Sequence, residues 1–205
     1  MDDHFIVFAT KNGVVKKTEV SAFSNPRVTG IRAINIDDGD ELIGVCHSDG
    51  DSDIILATKN GKAVRFNEKN VRAMGRTARG VRGIRLRKGD EVVSMVSVSK
   101  NDIERDINIL SITENGYGKQ TPLSKYRRIK RGGMGIITII TNERNGGVVN
   151  VKAVDGDDEL LITSVDGMVI RIPVSGISTQ GRNTMGVRIM RLKEDDKVAG
   201  VAKLV

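Results

Sequence analysis

Holding a phosphate takes cations beside a backbone that can come close to it. Residues 126–135 supply both. Arg127, Arg128, Lys130 and Arg131 stand directly before Gly132, Gly133 and Gly135, and an apolar, β-branched run from Ile136 to Ile140 follows. Lys and Arg neutralise phosphates and release counterions, while glycine lets a main-chain N–H approach a phosphate oxygen. The stretch from Tyr126 to Gly135 therefore reads as a phosphate-gripping loop anchored by the strand after it.

Other chemistries find little support. The only histidines are His4, near the terminus, and His47, at a strand end. There is no Gly-x4-Gly-Lys-Ser/Thr loop and no Gly-x-Ser-x-Gly elbow. Carboxylates sit in turns rather than among apolar residues, where a raised pKa would make a general acid. The single cysteine, Cys46, excludes an intramolecular disulfide and a Cys-cluster zinc site, and its apolar neighbours mark a buried thiol that suits a reducing compartment. Turns such as 37–41 and 155–159 lack the alternating ligands of a calcium loop, so neither metal nor cofactor is expected. No stretch reaches 18 apolar residues, long amphipathic helical patterns are missing, and the acidic N-terminus has no secretory h-region. A membrane partner is not expected. The net charge of +7 favours a polyanion, and with 3% aromatics and no Trp its bases would not be read by stacking.

The elements that position these residues come from internal repetition. The chain divides into repeats at about 5–53, 54–106, 107–157 and 158–205, within one domain spanning 1–205. Each has an Asn-Gly or Asp-Gly, at Gly13, Gly61, Gly116 and Gly167, spaced 48, 55 and 51 residues apart. A second glycine follows 17 to 19 residues later, at Gly30, Gly80, Gly135 and Gly186. Asn-Gly between apolar runs predicts a hairpin with a type I′ turn, because both central residues of that turn need positive φ. After a polar loop, Gly30–Ile36 reads as a third strand, an acidic turn follows, and residues 41–46 read as a fourth. Four short strands in about 50 residues predict an all-β array of propeller-like blades. Pro26, Pro122 and Pro173 fall at strand ends or loops. Residues 97–106 form the longest polar connection.

Charge is sorted by position. In the first repeat Lys16, Lys17, Arg27 and Arg32 flank the loop between the second and third strands. In the second, residues 62–88 carry ten Lys/Arg, among them Arg65, Arg72, Arg76, Arg79 and Arg82, and one acid, Glu68. The third adds Lys119 and Lys125 to the cations already named, and the fourth has Arg171, Arg182 and Arg188. One cation stands three or four residues before every second glycine: Arg27, Arg76, Arg131 and Arg182. The acids recur in the turns about 27 residues after the first glycine. Repeats that segregate charge in sequence predict a basic band and a separate acidic band in space, and a band suits a bent polyanion.

Residues 9–18, 38–45, 71–86, 113–126, 141–149 and 181–192 together resemble the C-terminal domain of the DNA gyrase A subunit, over essentially the whole chain. The resemblance implies a β-pinwheel, in which neighbouring blades exchange a strand, and a domain that wraps duplex DNA around its edge. It implies as partners the remainder of the gyrase A polypeptide, together with gyrase B, in a cytoplasmic, nucleoid-associated enzyme that introduces negative supercoils. The family's box, Gln-Arg-Arg-Gly-Gly-Lys-Gly, is nearest to Ile129–Gly135. Arg131, Gly132, Gly133 and Gly135 match, Lys130 matches conservatively, and Ile129 and Met134 depart. The motif order fits the last four blades of a six-bladed domain. The strand-cleaving and ATP-binding regions have no counterpart here, so the chain is not expected to be an enzyme alone. The C-terminal domain of topoisomerase IV and a propeller-like protein-interaction scaffold are the alternatives.

Overall fold

The computed structural model describes residues 4–204; residues 1–3 and 205 of the expected domain lie outside the described residues. Fifteen strands run in chain order: β1 Phe5–Thr10, β2 Val14–Glu19, β3 Leu42–Ser48, β4 Asp53–Thr58, β5 Lys62–Asn67, β6 Val81–Arg82, β7 Val92–Val98, β8 Asn108–Thr113, β9 Tyr117–Pro122, β10 Ile136–Ile137, β11 Val148–Val154, β12 Glu159–Ser164, β13 Val169–Pro173, β14 Val187–Arg188 and β15 Val198–Leu204. They form sheets ordered β3-β1-β2-β6, β7-β4-β5-β10, β11-β8-β9-β14 and β15-β12-β13. Every strand pairing in them is antiparallel. The sheets stand as four blades of a propeller-like pinwheel. Their inner strands β3, β7, β11 and β15 are successive neighbours. The polar connection at 97–106 holds the short helix α1, Lys100–Glu104, closed by a reciprocal Ser99–Asp102 capping box.

The hairpins form where Asn-Gly and Asp-Gly placed them, with a different turn. The first glycines take φ between +76° and +85°, but the Asn or Asp before each does not have positive φ. Each glycine N–H donates to a carbonyl three residues back, as in Gly13 to Thr10 at 3.0 Å. This is the three-residue loop with one glycine in the left-handed region, not type I′.

The third strand is the larger correction. It is only two residues long, and it pairs with the blade before its own. β6 of the second repeat lies on β2, β10 of the third on β5, and β14 of the fourth on β9. Residues 30–36 have no such neighbour and form no strand.

This exchange explains both glycine positions. The main chain of the incoming segment crosses the preceding hairpin so closely that two of its N–H groups reach one glycine carbonyl, as Gly83 and Ile84 do to Gly13 (2.8 and 3.3 Å). The second glycine presses on the preceding blade's second strand. A Cβ on Gly135, whose φ is +71°, would stand 2.6 Å from the Ala63 carbonyl oxygen.

The apolar core lies between blades. Val7, Val15, Ile54, Leu56, Val64, Phe66 and Ile84 pack the first two together. Ile55, Val96, Val98, Ile109, Tyr126 and Val148 join the second to the third. Leu110, Ile112, Leu160, Ile162 and Val174 join the third to the fourth. Each blade therefore relies on its neighbour for burial as well as for hydrogen bonds.

Gly135→Ala should lower stability by at least about 1 kcal/mol in urea unfolding, since it combines left-handed backbone with a main-chain clash. Gly75→Ala meets nothing within 4 Å and has no positive φ. It should change stability by less than about 0.5 kcal/mol.

Candidate nucleic-acid interface

The twenty residues singled out for phosphate contact separate into three groups. Four cations are buried. Lys16 donates to the carbonyls of Ala33 and Arg76, both at 2.5 Å. Lys119 donates to the carbonyls of Gly181 (2.5 Å) and Arg182 (2.7 Å) and to Thr184 Oγ1 (3.0 Å). Burial, with Arg76 or Arg182 nearby adding repulsion, holds each of these ammoniums down to about 8. Lys17 donates to the Glu68 carbonyl at 3.2 Å and lies 3.5 Å from its carboxylate. Arg65 Nε donates to Asp53 at 2.7 Å, and its Nη1 donates to the carbonyls of Leu123 and Tyr126. These four are corrections to the expected site. Their charged tips are spent on backbone or buried carboxylates, and no external phosphate can reach them. They bolt one repeat to the next, and Gln120 fills the same role in the third blade by donating to the carbonyls of Val174 and Ile177.

The position-matched arginines form the second group. Arg76 donates to the Arg32 carbonyl (3.1 Å), Arg131 to the Arg82 carbonyl (3.1 Å), and Arg182 to the Ile137 carbonyl (2.9 Å). Each acceptor lies two residues after the second glycine of the preceding repeat. Their regular spacing thus reflects a clamp between repeats. Arg27, the first of the row, is exposed. The loop glycines serve the same joint. Gly132 donates its N–H to the Gly83 carbonyl, and Gly133 accepts from the Arg85 N–H. Tyr126 is the buried anchor, with its hydroxyl 2.6 Å from Thr138 Oγ1.

The third group is in solvent. Arg72, Arg79, Arg82, Lys125, Arg127, Arg128 and Lys130 are exposed. Arg79 pairs with Asp37 at 2.9 Å, so the first acidic turn touches the basic band instead of lying apart from it. Arg128 Nε holds Asp53 at 3.0 Å while half the side chain stays exposed. Because the 130–133 loop runs along 82–85, the structure brings Arg82, Arg85 and Lys130 together across two repeats. The same clamps carry the band on to residues 32–35 on one side and 182–184 on the other. These loops follow the outermost strands, so the band lies on the outer rim. Arg171 lies in an ion pair with Glu159.

Arg188 belongs to a feature the sequence reading missed. It and Arg144 both donate to the Tyr117 hydroxyl at 3.1 Å, with their guanidiniums 5.4 and 5.5 Å from the ring centre. The arginine hydrogen bonds, Arg144 first, lower the phenol pKa. Tyr117, Arg144, Gly186, Val187, Arg188 and Arg191 line a concavity of about 470 Å³. Three guanidiniums converging on one hollow suit an anionic group. Arg144 escapes notice in the sequence because it stands in a segment that reads as an acidic turn.

The remaining acidic turns have a local task. Asp40 accepts from the Asn12 N–H, Asp90 from Asn60, and Asp196 from Asp166, at 2.8 to 3.0 Å. They fasten the hairpin tips. Burial raises the Cys46 thiol to about 11, which leaves it unreactive at neutral pH. No described helix is long and apolar enough to cross a membrane.

Comparison with known proteins agrees with this geometry. The family described as DNA gyrase C-terminal domain, beta-propeller, matches four times, at residues 4–45, 52–99, 108–155 and 158–204. The DNA gyrase A subunit of Haloquadratum walsbyi is 47% identical over 200 residues, which are 98% of this chain and 23% of that protein. A solved DNA gyrase A C-terminal domain superposes with a TM-score of 0.89 at 30% identity, covering all of this chain and 67% of that one. A C-terminal domain of DNA topoisomerase IV superposes with a TM-score of 0.91 at 26% identity, covering 98% and 62%.

Lys119→Met removes a buried donor from three acceptor oxygens and should cost on the order of 1–3 kcal/mol in urea unfolding, whereas Lys130→Met should leave stability unchanged. The pH dependence has a definite sign. Lys16 and Lys119 titrate near 8 when folded, against 10.5 for the ordinary side chain. Between these values the unfolded chain holds more protons, so their contribution to stability grows as pH rises. The rise should be smaller in Lys119→Met.

Proposed function

The chain belongs to the DNA gyrase C-terminal domain family, and from that premise we propose that it binds, bends and wraps duplex DNA without regard to sequence. The observation that carries this reading is the exposed cationic rim. Arg72, Arg82, Lys125, Arg127 and Lys130 face solvent on loops whose own arginines are used to hold successive blades together. Such cations contact phosphates, which carry no base information. The Tyr117 hollow, with Arg144, Arg188 and Arg191, gives the path a further phosphate seat.

Bending a 20–30 bp site by 40–90° costs roughly 1–6 kcal/mol. One loop cannot sustain that, whereas a rim spread over several rigidly joined blades can. The chain spans 23% of the length of the gyrase A relative described above. We place it as the DNA-wrapping part of a larger, cytoplasmic, nucleoid-associated topoisomerase, where it would act with the remainder of gyrase A and with gyrase B in ATP-dependent negative supercoiling. The strand-cleaving tyrosine and the ATPase are assigned to other regions of that enzyme. Both tyrosines here are engaged, Tyr126 in the core and Tyr117 beneath two arginines.

Affinity for a random-sequence duplex, followed by fluorescence anisotropy, should fall steeply with salt. The slope of log K against log salt should be about −0.9 per phosphate neutralised. Replacing Arg82, Lys125, Arg127 and Lys130 by Ala should reduce that slope by about 0.9 per side chain, equally for unrelated sequences. Arg144→Ala should act likewise. End-to-end fluorescence transfer should rise once the duplex is long enough to reach successive blades. A flat salt dependence, or no binding at low salt, would transfer the rim to an acidic protein partner.

A further inference from the structure

The joint between the third and fourth repeats carries an aromatic ring where the other two joints have none. At the start of the second strand β2 has Val14 and β5 has Lys62, whereas β9 has Tyr117. Opposite Tyr117 the incoming strand β14 places Arg188, where β10 has Ile137. The first two joints hold their blades together without a ring at this place. The Tyr117 hollow is therefore an addition to the joint and not a part of its construction.

The hollow has donors to spare. Tyr117 is 3% exposed. Its hydroxyl accepts from Arg144 Nε and Arg188 Nη2, both at 3.1 Å, and donates to no described residue. A phenol has one proton to give, so a buried donor is left without an acceptor beside a concavity of about 470 Å³. Leaving such a donor unpaired is costly. The arginines are equally unspent. A guanidinium has five N–H groups. The Arg144 and Arg188 side chains each give one to Tyr117, and the Arg191 side chain gives none to a described residue. No carboxylate lines the hollow. What it lacks is an acceptor with several oxygens and more than one negative charge.

We propose that the hollow selects a terminal phosphate, the dianion of a phosphomonoester, over the diester of a duplex backbone. A monoester brings three free oxygens and a charge of about −1.5 to −2 at neutral pH, which match the phenol O–H and three guanidiniums. A backbone diester brings one charge and two free oxygens, and its two ester arms hold it away from a floor as covered as Tyr117. Val187, in the same lining, is 41% exposed and offers the organic group of an ester an apolar contact. The same chemistry exists on a small phosphate ester and on the 5′-phosphate of a DNA end. This selectivity rests on the proposed reading of the hollow as a phosphate seat but not on wrapping, which the exposed rim carries.

The test is a phosphorus NMR titration of the 205-residue chain at about pH 7.5, where a phosphomonoester is largely dianionic. The probes are phenyl phosphate, a monoester, and methyl phenyl phosphate, a diester. The monoester should bind about tenfold more tightly or better. Tyr117→Phe keeps the ring and removes the hydroxyl. It should weaken the monoester about tenfold, as expected for one hydrogen bond to an anion, and leave the diester unchanged. Arg191→Gln should also weaken the monoester. Lys100→Gln, which removes an exposed cation of α1, should change neither. Fluorescence anisotropy then compares one short duplex bearing 5′-phosphates with the same duplex bearing 5′-hydroxyls. A preference for the phosphorylated duplex that Tyr117→Phe abolishes assigns the hollow to DNA ends. Equal affinity for the two duplexes, with phenyl phosphate bound, assigns it to small phosphate esters. The proposal is overturned if both probes bind alike, if neither binds, or if Tyr117→Phe leaves the ratio of their affinities unchanged. Duplex binding that persists through that result keeps the wrapping function. Loss of duplex binding at low salt ends the wrapping function and leaves the selectivity of the hollow standing on the titration.

Discussion

Everything in this fold depends on satisfying the outer edge of the first three blades from the repeat that follows each. A hairpin leaves one row of main-chain N–H and carbonyl groups unpaired, and burying them unpaired would cost more than packing returns. Two residues of the next repeat complete the row, and the consequences spread from there. The incoming chain must cross the hairpin tip closely, so both crossing points are glycine. It must also be held against the blade, so lysine, arginine and glutamine side chains reach over to its carbonyls. The cationic loops are therefore fixed to the rim by the same bonds that join the blades.

This arrangement divides the positive charge into two kinds. Lys16, Lys17, Arg65 and Lys119 are construction, each with its charged tip turned inward onto backbone carbonyls, a threonine hydroxyl or a buried carboxylate. Arg82, Lys125, Arg127 and Lys130 are presentation. Buried charge of this sort is retained only with good partners, because an unpaired ammonium inside costs several kcal/mol. The net charge of +7 thus overstates how evenly the cations serve an external ligand. Neighbouring residues of one strand, or of one six-residue loop such as 126–131, can belong to opposite kinds.

Much of this was legible in the residues. Asn-Gly and Asp-Gly located four hairpins, the paired glycine positions fixed the repeat, and the charged loops lay where expected. What failed was long-range. Alternation along residues 30–36 says which side chains share a face but not which sheet the segment joins, so the sequence places the third strand in its own blade. Burial of Lys16 and Lys119 was invisible because each is covered by carbonyls of the next repeat, 60 to 63 residues away. Glu68, alone among ten cations, was the one available clue that some of that charge is neutralised inside.

The exchanged strand also sets a schedule for synthesis. A chain leaving the ribosome folds from its N-terminal end as segments emerge. No blade here can be finished by its own repeat: β1, β2 and β3 remain an open sheet until Val81–Gly83 appear, and β4, β5 and β7 wait for Ile136–Thr138. The newest blade is always incomplete, and the next stretch of chain to emerge is the one built to complete it. Each nascent edge is thus exposed for the time needed to translate about 70 residues, the separation between paired residues such as Val15 and Val81 or Ala63 and Ile136, at the roughly 5–20 residues per second typical of synthesis. The spacing between an edge and its completing strand thus sets how long each unfinished blade waits during synthesis.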